Sequence, residues 1–504
     1  MNDMKEMKIL DEFSLKELAS QHKIEILDSN QTLDIEKYLH VLPFSLVDQY
    51  DIFCLYEDDE NIHIASSEFL KEGIIEKIQN LYRLKTVKIF LCDFMQFKFL
   101  LERVKFLIRF QDYLNRLDLS LKSNENKDEF LLEQFLNLIL TYACFLRASD
   151  IHLEPLEDKV LIRFRIDGDL KYMHSLDISS YQALLMHIKI ITLLNVAEQR
   201  QAQDGSFSKI ILEQKYDFRV SIIPLLFGQS VVLRILKQDE HVLKLDKLFI
   251  AEENLAQLKT YMNAPYGLIL FCGPTGSGKS TFMHAILNEL DQNKKVITLE
   301  DPIEYKLKYA QQILLNPKAD FNFHKALRAV LRQDPDVIMV GEIRDDESLD
   351  IVLKASLSGH LVLSTLHTNN TIEAIFRMKH MGAKEYLIAY SLNLIIAQRL
   401  VRKLCECKEP SEEKFHFQGQ VFEGKFYKAK GCVKCMYSGY KGRLMVAEFL
   451  FLDQNLKSMI ENNANYENIL TYALKKGFLT LSMDALEKVK LGLISIDELR
   501  KVGF

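Results

Sequence analysis

From Gly273 the residues run Gly273, Pro274, Thr275, Gly276, Ser277, Gly278, Lys279, Ser280 and Thr281: two glycines framing four residues, then a lysine and a hydroxyl. That is the spacing of a phosphate-binding loop. Its backbone N–H groups can close round a polyphosphate, Lys279 can reach the β- and γ-phosphates, and the Ser280 hydroxyl can ligate Mg²⁺. An apolar run, Tyr266 to Phe271, leads into the loop. A strand in front and a helix behind would aim the positive end of the helix dipole at the same anion. The plainer reading is a glycine-rich turn that happens to precede a lysine; the strand in front argues against it.

Apolar strands are expected at 268–271, 296–299, 337–340 and 361–365, with helices between them. Such runs are buried on both sides and belong to a parallel sheet, whose ligand sits beyond the carboxyl ends of the strands. The residues at those ends are the loop, Glu300 with Asp301, Gly341 with Glu342, and His367. Attack of water on a γ-phosphate needs a carboxylate for the water, a carboxylate near Mg²⁺, and a donor for charge on the transferring group. Glu342, Glu300 and His367 are of those types. Taken singly, each glutamate could be a helix-capping acid and His367 a core histidine. Either glutamate could be the base.

Upstream, the alternation in KVLIRFRI puts Arg163 and Arg165 on one strand face, and Asp167 with Gly168 forms a hairpin turn. The strands YDFRVSIIP and QSVVLRIL carry Arg219 and Arg234. These arginines make either a solvated face or a surface turned to an anion. Downstream, Cys405 and Cys407 precede Cys432 and Cys435. The two pairs could close a tetrahedral zinc site or stay a reduced cluster, a cytosolic setting being unfavourable to a disulfide. Cys54, Cys92, Cys144 and Cys272 stand in apolar surroundings and are expected in the core.

These groups must be positioned by a chain of 504 residues, too long for one core and expected to form about three or four domains. Its 48% hydrophobic and 27% charged residues are those of an ordinary soluble protein, and the net charge of -6 argues against nucleic acid as the main partner. No apolar segment is long enough to span a bilayer, and the N-terminal MNDMKEMKILDEF has no apolar signal region, so a cytoplasmic location is expected. The fold class is α/β. Residues 1–118 read as an α/β module for docking a partner, 119–128 as a polar linker, and 129–245 as the arginine-bearing sheet domain. Residues 246–262 connect to the ATPase core at 263–402, followed by a cysteine subdomain at 403–445 and a helical region at 446–504. Ser495 and Glu498 have capping-box spacing, and Gly492 suits a helix end.

With those motifs in that order, the chain resembles the secretion ATPases that power type II secretion systems and type IV pilus assembly, from about Arg147 to Leu499 and more weakly from Leu42 to Val104. ASDIHLEP and FRIDG resemble the family's second N-terminal, PAS-like domain, GPTGSGKS its Walker A loop, and TLEDPIEY its aspartate box. LRQDPDVIMVGEIRD resembles the Walker B segment, SGHLVLSTLHTNN the histidine box, and the four cysteines the zinc-binding subdomain. The resemblance implies a RecA-like core using ATP and Mg²⁺, with Zn²⁺ on the cysteines. It makes Glu342 the Walker B glutamate and places Glu300 in the acidic box. His367, rather than His360, would sense the γ-phosphate, and Arg219 and Arg234 would stabilise charge on nucleotide.

The resemblance further implies a homo-hexamer, peripheral to the inner membrane, that turns a membrane platform protein and meets a cytoplasmic-ring protein. The machine would assemble a pilus, or a pseudopilus for secretion or DNA uptake. The alternatives are a pilus-retraction motor, which usually lacks the N-terminal module and the cysteine subdomain, and a nucleic-acid translocase. Three positions depart from the family pattern: EQRQAQDGS keeps Arg200 but lacks a proline, Asn370 replaces the usual aspartate, and Cys405 and Cys407 are one residue closer than usual.

Overall fold

The computed structural model describes residues 24–27, 35–122, 129–237, 244–301, 303, 305–314, 323–412, 414–417, 419–432, 435 and 437–502. They pack as two units, Met1–Gln238 with Lys430–Lys441, and Asp239–Ala429 with Gly442–Phe504. The N-terminal MNDMKEMKILDEF, residues 123–128 of the linker, and Pro302 and Glu304 of the acidic box lie outside the described residues.

The first unit opens with a four-stranded sheet in the order Glu25–Ile26, Thr86–Leu91, Asn61–Ser66, Phe53–Glu57. Its hairpin turns at the acidic stretch, where Asp58 Oδ1 accepts from the backbone N–H groups of Glu60 and Asn61 at 2.9 and 2.6 Å. The helix Phe94–Lys122 then runs four residues into the segment expected as linker, because LDLSLK still suits a helix. After the helix Glu129–Phe145 comes a six-stranded antiparallel sheet in the order Asp169–Leu176, Val160–Ile166, Asp150–Pro155, Gly228–Lys237, Gln214–Leu225, Gln203–Ile211. Strict in–out alternation along Val160–Ile166 buries Val160, Ile162, Phe164 and Ile166. The turn after it has Asp167 at φ 49° and Gly168 at φ 98°, the two left-handed residues a tight hairpin requires.

The second unit is built on a seven-stranded sheet in the order Ala310–Leu314, Val296–Glu300, Val337–Val340, Leu361–Leu366, Gly267–Cys272, Leu392–Leu404, Tyr440–Phe451. The first six pair in parallel, and the four strands expected from sequence are its middle. Their side chains are buried throughout, since helices cover both faces. Two segments differ from expectation. Residues 246–262 hold a ten-residue helix, Glu252–Tyr261, anchored by buried Leu258. Residues 446–451 end an edge strand, their apolar run completing the sheet before the four C-terminal helices begin at Gln454. At the head of the strand Gly267–Cys272, Gly267 has φ 119°, and a Cβ there would lie 1.9 Å from Asn393 Nδ2. No described helix is long and apolar enough to cross a membrane.

Candidate active site

The loop from Gly273 follows the strand Gly267–Cys272 and ends in the helix Lys279–Glu289. Gly273, Gly276 and Gly278 have φ 143°, 80° and 89°, which turns successive N–H groups into one concavity. A Cβ at Gly273 would stand 2.6 Å from both Gln398 O and Ser277 Oγ, so the loop closes only with glycine there. Gln398, from the neighbouring strand, donates to Ser277 O at 2.8 Å and props the loop from beneath. Lys279 is buried, and its ammonium donates to Gly273 O and Pro274 O at 2.7 and 3.0 Å across the mouth. No side chain caps the helix at Gly278, and the buried Ser277 Oγ has no hydrogen-bond partner. Uncapped amides, an ammonium, an orphaned hydroxyl and Ser280 in the first helical turn fit a polyphosphate with its Mg²⁺.

The carboxylates stand at the ends of adjacent strands. Glu300 closes the strand Val296–Glu300 and is buried. Its Oε1 accepts from Thr298 Oγ1 at 2.8 Å and Gln312 Nε2 at 3.0 Å, and its Oε2 faces His284 Nε2 at 3.2 Å. Burial alone would raise this carboxyl; the bonds from His284, Gln312 and Thr298 outweigh it and hold the acid below its usual range.

Glu342 lies two residues past Val340. Gly341 N donates to Leu299 O at 2.8 Å, and Thr365 Oγ1 donates to Gly341 O at 2.8 Å, which fixes the turn between neighbouring strands. Glu342 Oε1 accepts from Arg344 Nε, and its Oε2 is 3.2 Å from His367 Nε2. Here too burial pushes the carboxyl up, and Arg344 and His367 bring it below the ordinary value. His367 follows the strand Leu361–Leu366, whereas His360 precedes it, at the amino end. There His360 Nδ1 is 3.0 Å from Ala355 O.

Arg219 and Arg234 belong to the first unit. They face each other directly across paired strands, in a row that continues to Asp150 and Arg165 on one side and Ser206 on the other. Arg234 Nε donates to Asp150 Oδ1 at 3.0 Å, and Arg165 Nε is 3.8 Å from Asp150 Oδ2. A buried aspartate thus holds two of the three arginines in place. Arg200 is exposed, in the segment before Gly205.

Among the downstream cysteines, Cys405 and Cys435 are buried and Cys407 and Cys432 half-buried. All eight cysteines are free thiols, and Cys54, Cys92, Cys144 and Cys272 are buried. A tetrahedral ion with Zn–S near 2.3 Å sets its sulfurs roughly 3.8 Å apart. Cys432 and Cys435 have that separation, 3.8 Å. Backbone N–H groups of Cys432 and Gly439 donate to Cys435 Sγ at 3.1 and 3.2 Å and fix where that sulfur points.

Four residues at these sites escaped the sequence reading: His284, Gln312, Arg344 and Gln398. His284 could have been found from its place one helical turn after Ser280, and Gln398 as the amide inside the apolar run LNLIIAQRL.

Comparison with known proteins identifies the family. The family model described as type II/IV secretion system protein matches residues 125–501. Type II secretion system protein E of Dickeya dadantii is 41% identical over 383 residues, covering 75% of this chain and 77% of that protein. Type II secretion system ATPase E of Vibrio cholerae is 40% identical over 386 residues, covering 75% and 76%. Among solved structures, the pilus retraction motor PilT with bound ADP is 26% identical, with TM-score 0.53 over 73% of this chain and 96% of that one. The chain therefore belongs to the type II/IV secretion system protein family, and it is an ATP hydrolase that uses Mg²⁺.

Proposed function

We propose that the chain is the subunit of a homo-hexameric motor, cytoplasmic and peripheral to the inner membrane, that drives assembly of a pseudopilus or type IV pilus. The observation that carries this reading is identity near 40% with type II secretion proteins E over three-quarters of the chain. The retraction motor PilT matches at 26%, which favours extension over retraction. Partners of this reading are a membrane platform protein and a cytoplasmic-ring protein; nucleic acid is not among them.

In the reaction, Lys279 and the loop amides bind the β- and γ-phosphates, and Ser280 would hold Mg²⁺. That ion, when bound, neutralises phosphate charge. Glu342, aligned by Arg344 and His367, orients or deprotonates the attacking water, and Glu300 lies at the neighbouring strand end. His367 donates to the γ-phosphate as charge moves onto it. Arg219 and Arg234 act on nucleotide held by a neighbouring subunit. Cys405, Cys407, Cys432 and Cys435 hold a structural Zn²⁺.

Mixing inactive variants tests the ring. Arg219→Ala and Lys279→Ala proteins each lack turnover alone, and mixing them restores a fraction of it, because a mixed interface pairs an intact loop with an intact arginine. Removing an arginine finger costs on the order of 10³-fold. Turnover rises more steeply than linearly with protein concentration. Specific activity that ignores concentration, together with no recovery on mixing, contradicts the motor assembly.

A further inference from the structure

On the phosphate-loop helix Lys279–Glu289, His284 lies one turn after Ser280 among Phe282, Met283, Ala285, Ile286 and Leu287, all buried. A buried imidazole in such surroundings costs free energy unless both ring nitrogens are met. Nδ1 is hydrogen-bonded, and Nε2 lies in ion-pair range of a carboxylate oxygen without an aligned hydrogen bond. Nδ1 is 2.6 Å from Ser280 O. A carbonyl and a carboxylate both only accept, so the ring holds the two groups with an N–H at Nδ1 and another at Nε2. Nε2 then points away from the helix and stands 3.2 Å from Glu300 Oε2, with the His284 and Glu300 side chains 1% and 4% exposed. The Tyr305 ring meets the imidazole edge-on, with centroids 5.3 Å apart.

Glu300 is thereby held on two sides. Its Oε1 is tied to Thr298 on its own strand and to Gln312 on the edge strand, while Oε2 is reached from the helix that binds the polyphosphate. We propose that His284 is a positioning residue for ATP hydrolysis, fixing the Glu300 carboxylate to the carbonyl of Ser280 so that the acid keeps station with the bound phosphates. The inference rests on reading Glu300 as part of the hydrolytic centre.

Two substitutions separate the two contacts. In His284→Asn the amide nitrogen falls near the place of Nδ1, keeping the Ser280 bond but stopping short of Glu300. In His284→Gln the amide reaches the place of Nε2 and restores that contact. With folding followed by thermal midpoint and nucleotide binding by a non-hydrolysable ATP analogue, His284→Asn lowers kcat about 10-fold, in line with the cost of a misplaced group, and leaves KM for ATP within about 2-fold. His284→Gln recovers most of kcat. In a Glu300→Gln background, His284→Asn produces no further loss. If His284→Asn unfolds, His284→Ala, which adds no bulk, is expected to show the same kcat loss and takes its place. Equal kcat loss in the Asn and Gln proteins, wild-type kcat in the Asn protein, or a further loss in the Glu300→Gln background overturns the inference. Wild-type kcat in Glu300→Gln itself overturns the reading of Glu300; an inactive Glu300→Gln beside a fully active His284→Asn overturns the positioning role alone.

Discussion

Nε2 of His367 lies 3.2 Å from Oε2 of Glu342, although 25 residues separate them in sequence. The contact joins the residues that follow two neighbouring parallel strands, so the ends of Val337–Val340 and Leu361–Leu366 act as one unit. His367→Ala removes this partner and a donor to developing charge. It is expected to lower kcat on the order of 10²-fold while binding of an ATP analogue is retained. A variant that loses binding and keeps kcat would make His367 a ground-state contact.

Arg344 bonds Glu342 from the other side. Burial raises the Glu342 carboxyl, and Arg344 with His367 more than reverses this. Removing the cation in Arg344→Ala therefore raises the acid again. The acid limb of kcat/KM for ATP moves to higher pH in that variant, and a pH–rate profile unchanged on its acid side would show that Glu342 does not set the limb.

In the cysteine cluster, purified protein prepared without chelator is expected to contain about one zinc per chain. Cys435→Ser loses it, because that sulfur also takes the amides of Cys432 and Gly439. Binding requires thiolates, so metal is released as pH falls. Protein that holds no metal at neutral pH would leave a reduced cluster.

Glu498 is 2% exposed and clasps Arg402 through three groups, its Nη2 at 2.8 Å, its Nε at 2.9 Å and its backbone N–H at 2.8 Å. Burial would raise this carboxyl, yet Lys501 and Arg402 hold it below the ordinary value. A depressed carboxyl contributes stability above its unfolded pKa and loses it as pH falls through the folded one. Glu498→Gln should destabilise the fold by about 3 kcal/mol at neutral pH, with the gap to wild type closing in acid. A gap constant with pH in urea melts would contradict this.

What was legible in the sequence was local. The glycine spacing from Gly273, the apolar runs and the residues after them follow from periods of a few residues, and the sheet has those strands at its middle. The spacing of Ser495 and Glu498 foretold a cap, and Ser495 Oγ does accept from Glu498 N at 3.3 Å. The return half of the box was not to be read, since the Glu498 side chain goes to Arg402, 96 residues away. Gln398 beneath the loop is separated from Ser277 by 121 residues, and Gln312 from Glu300 by 12, crossing from one strand to the next. No periodicity announces such pairs. The strands Leu392–Leu404 and Tyr440–Phe451 escaped for a related reason: their apolar runs carry no turn signal that says which sheet they complete.

The central claim is that Glu342 is the carboxylate on which turnover depends, and it is tested most directly by measuring ATP occupancy and steady-state hydrolysis in the same Glu342→Gln protein. Glutamine keeps the shape and removes the charge. The account predicts bound, uncleaved ATP at near wild-type occupancy, with turnover reduced on the order of 10²-fold or more. Hydrolysis close to wild type in that protein would contradict it.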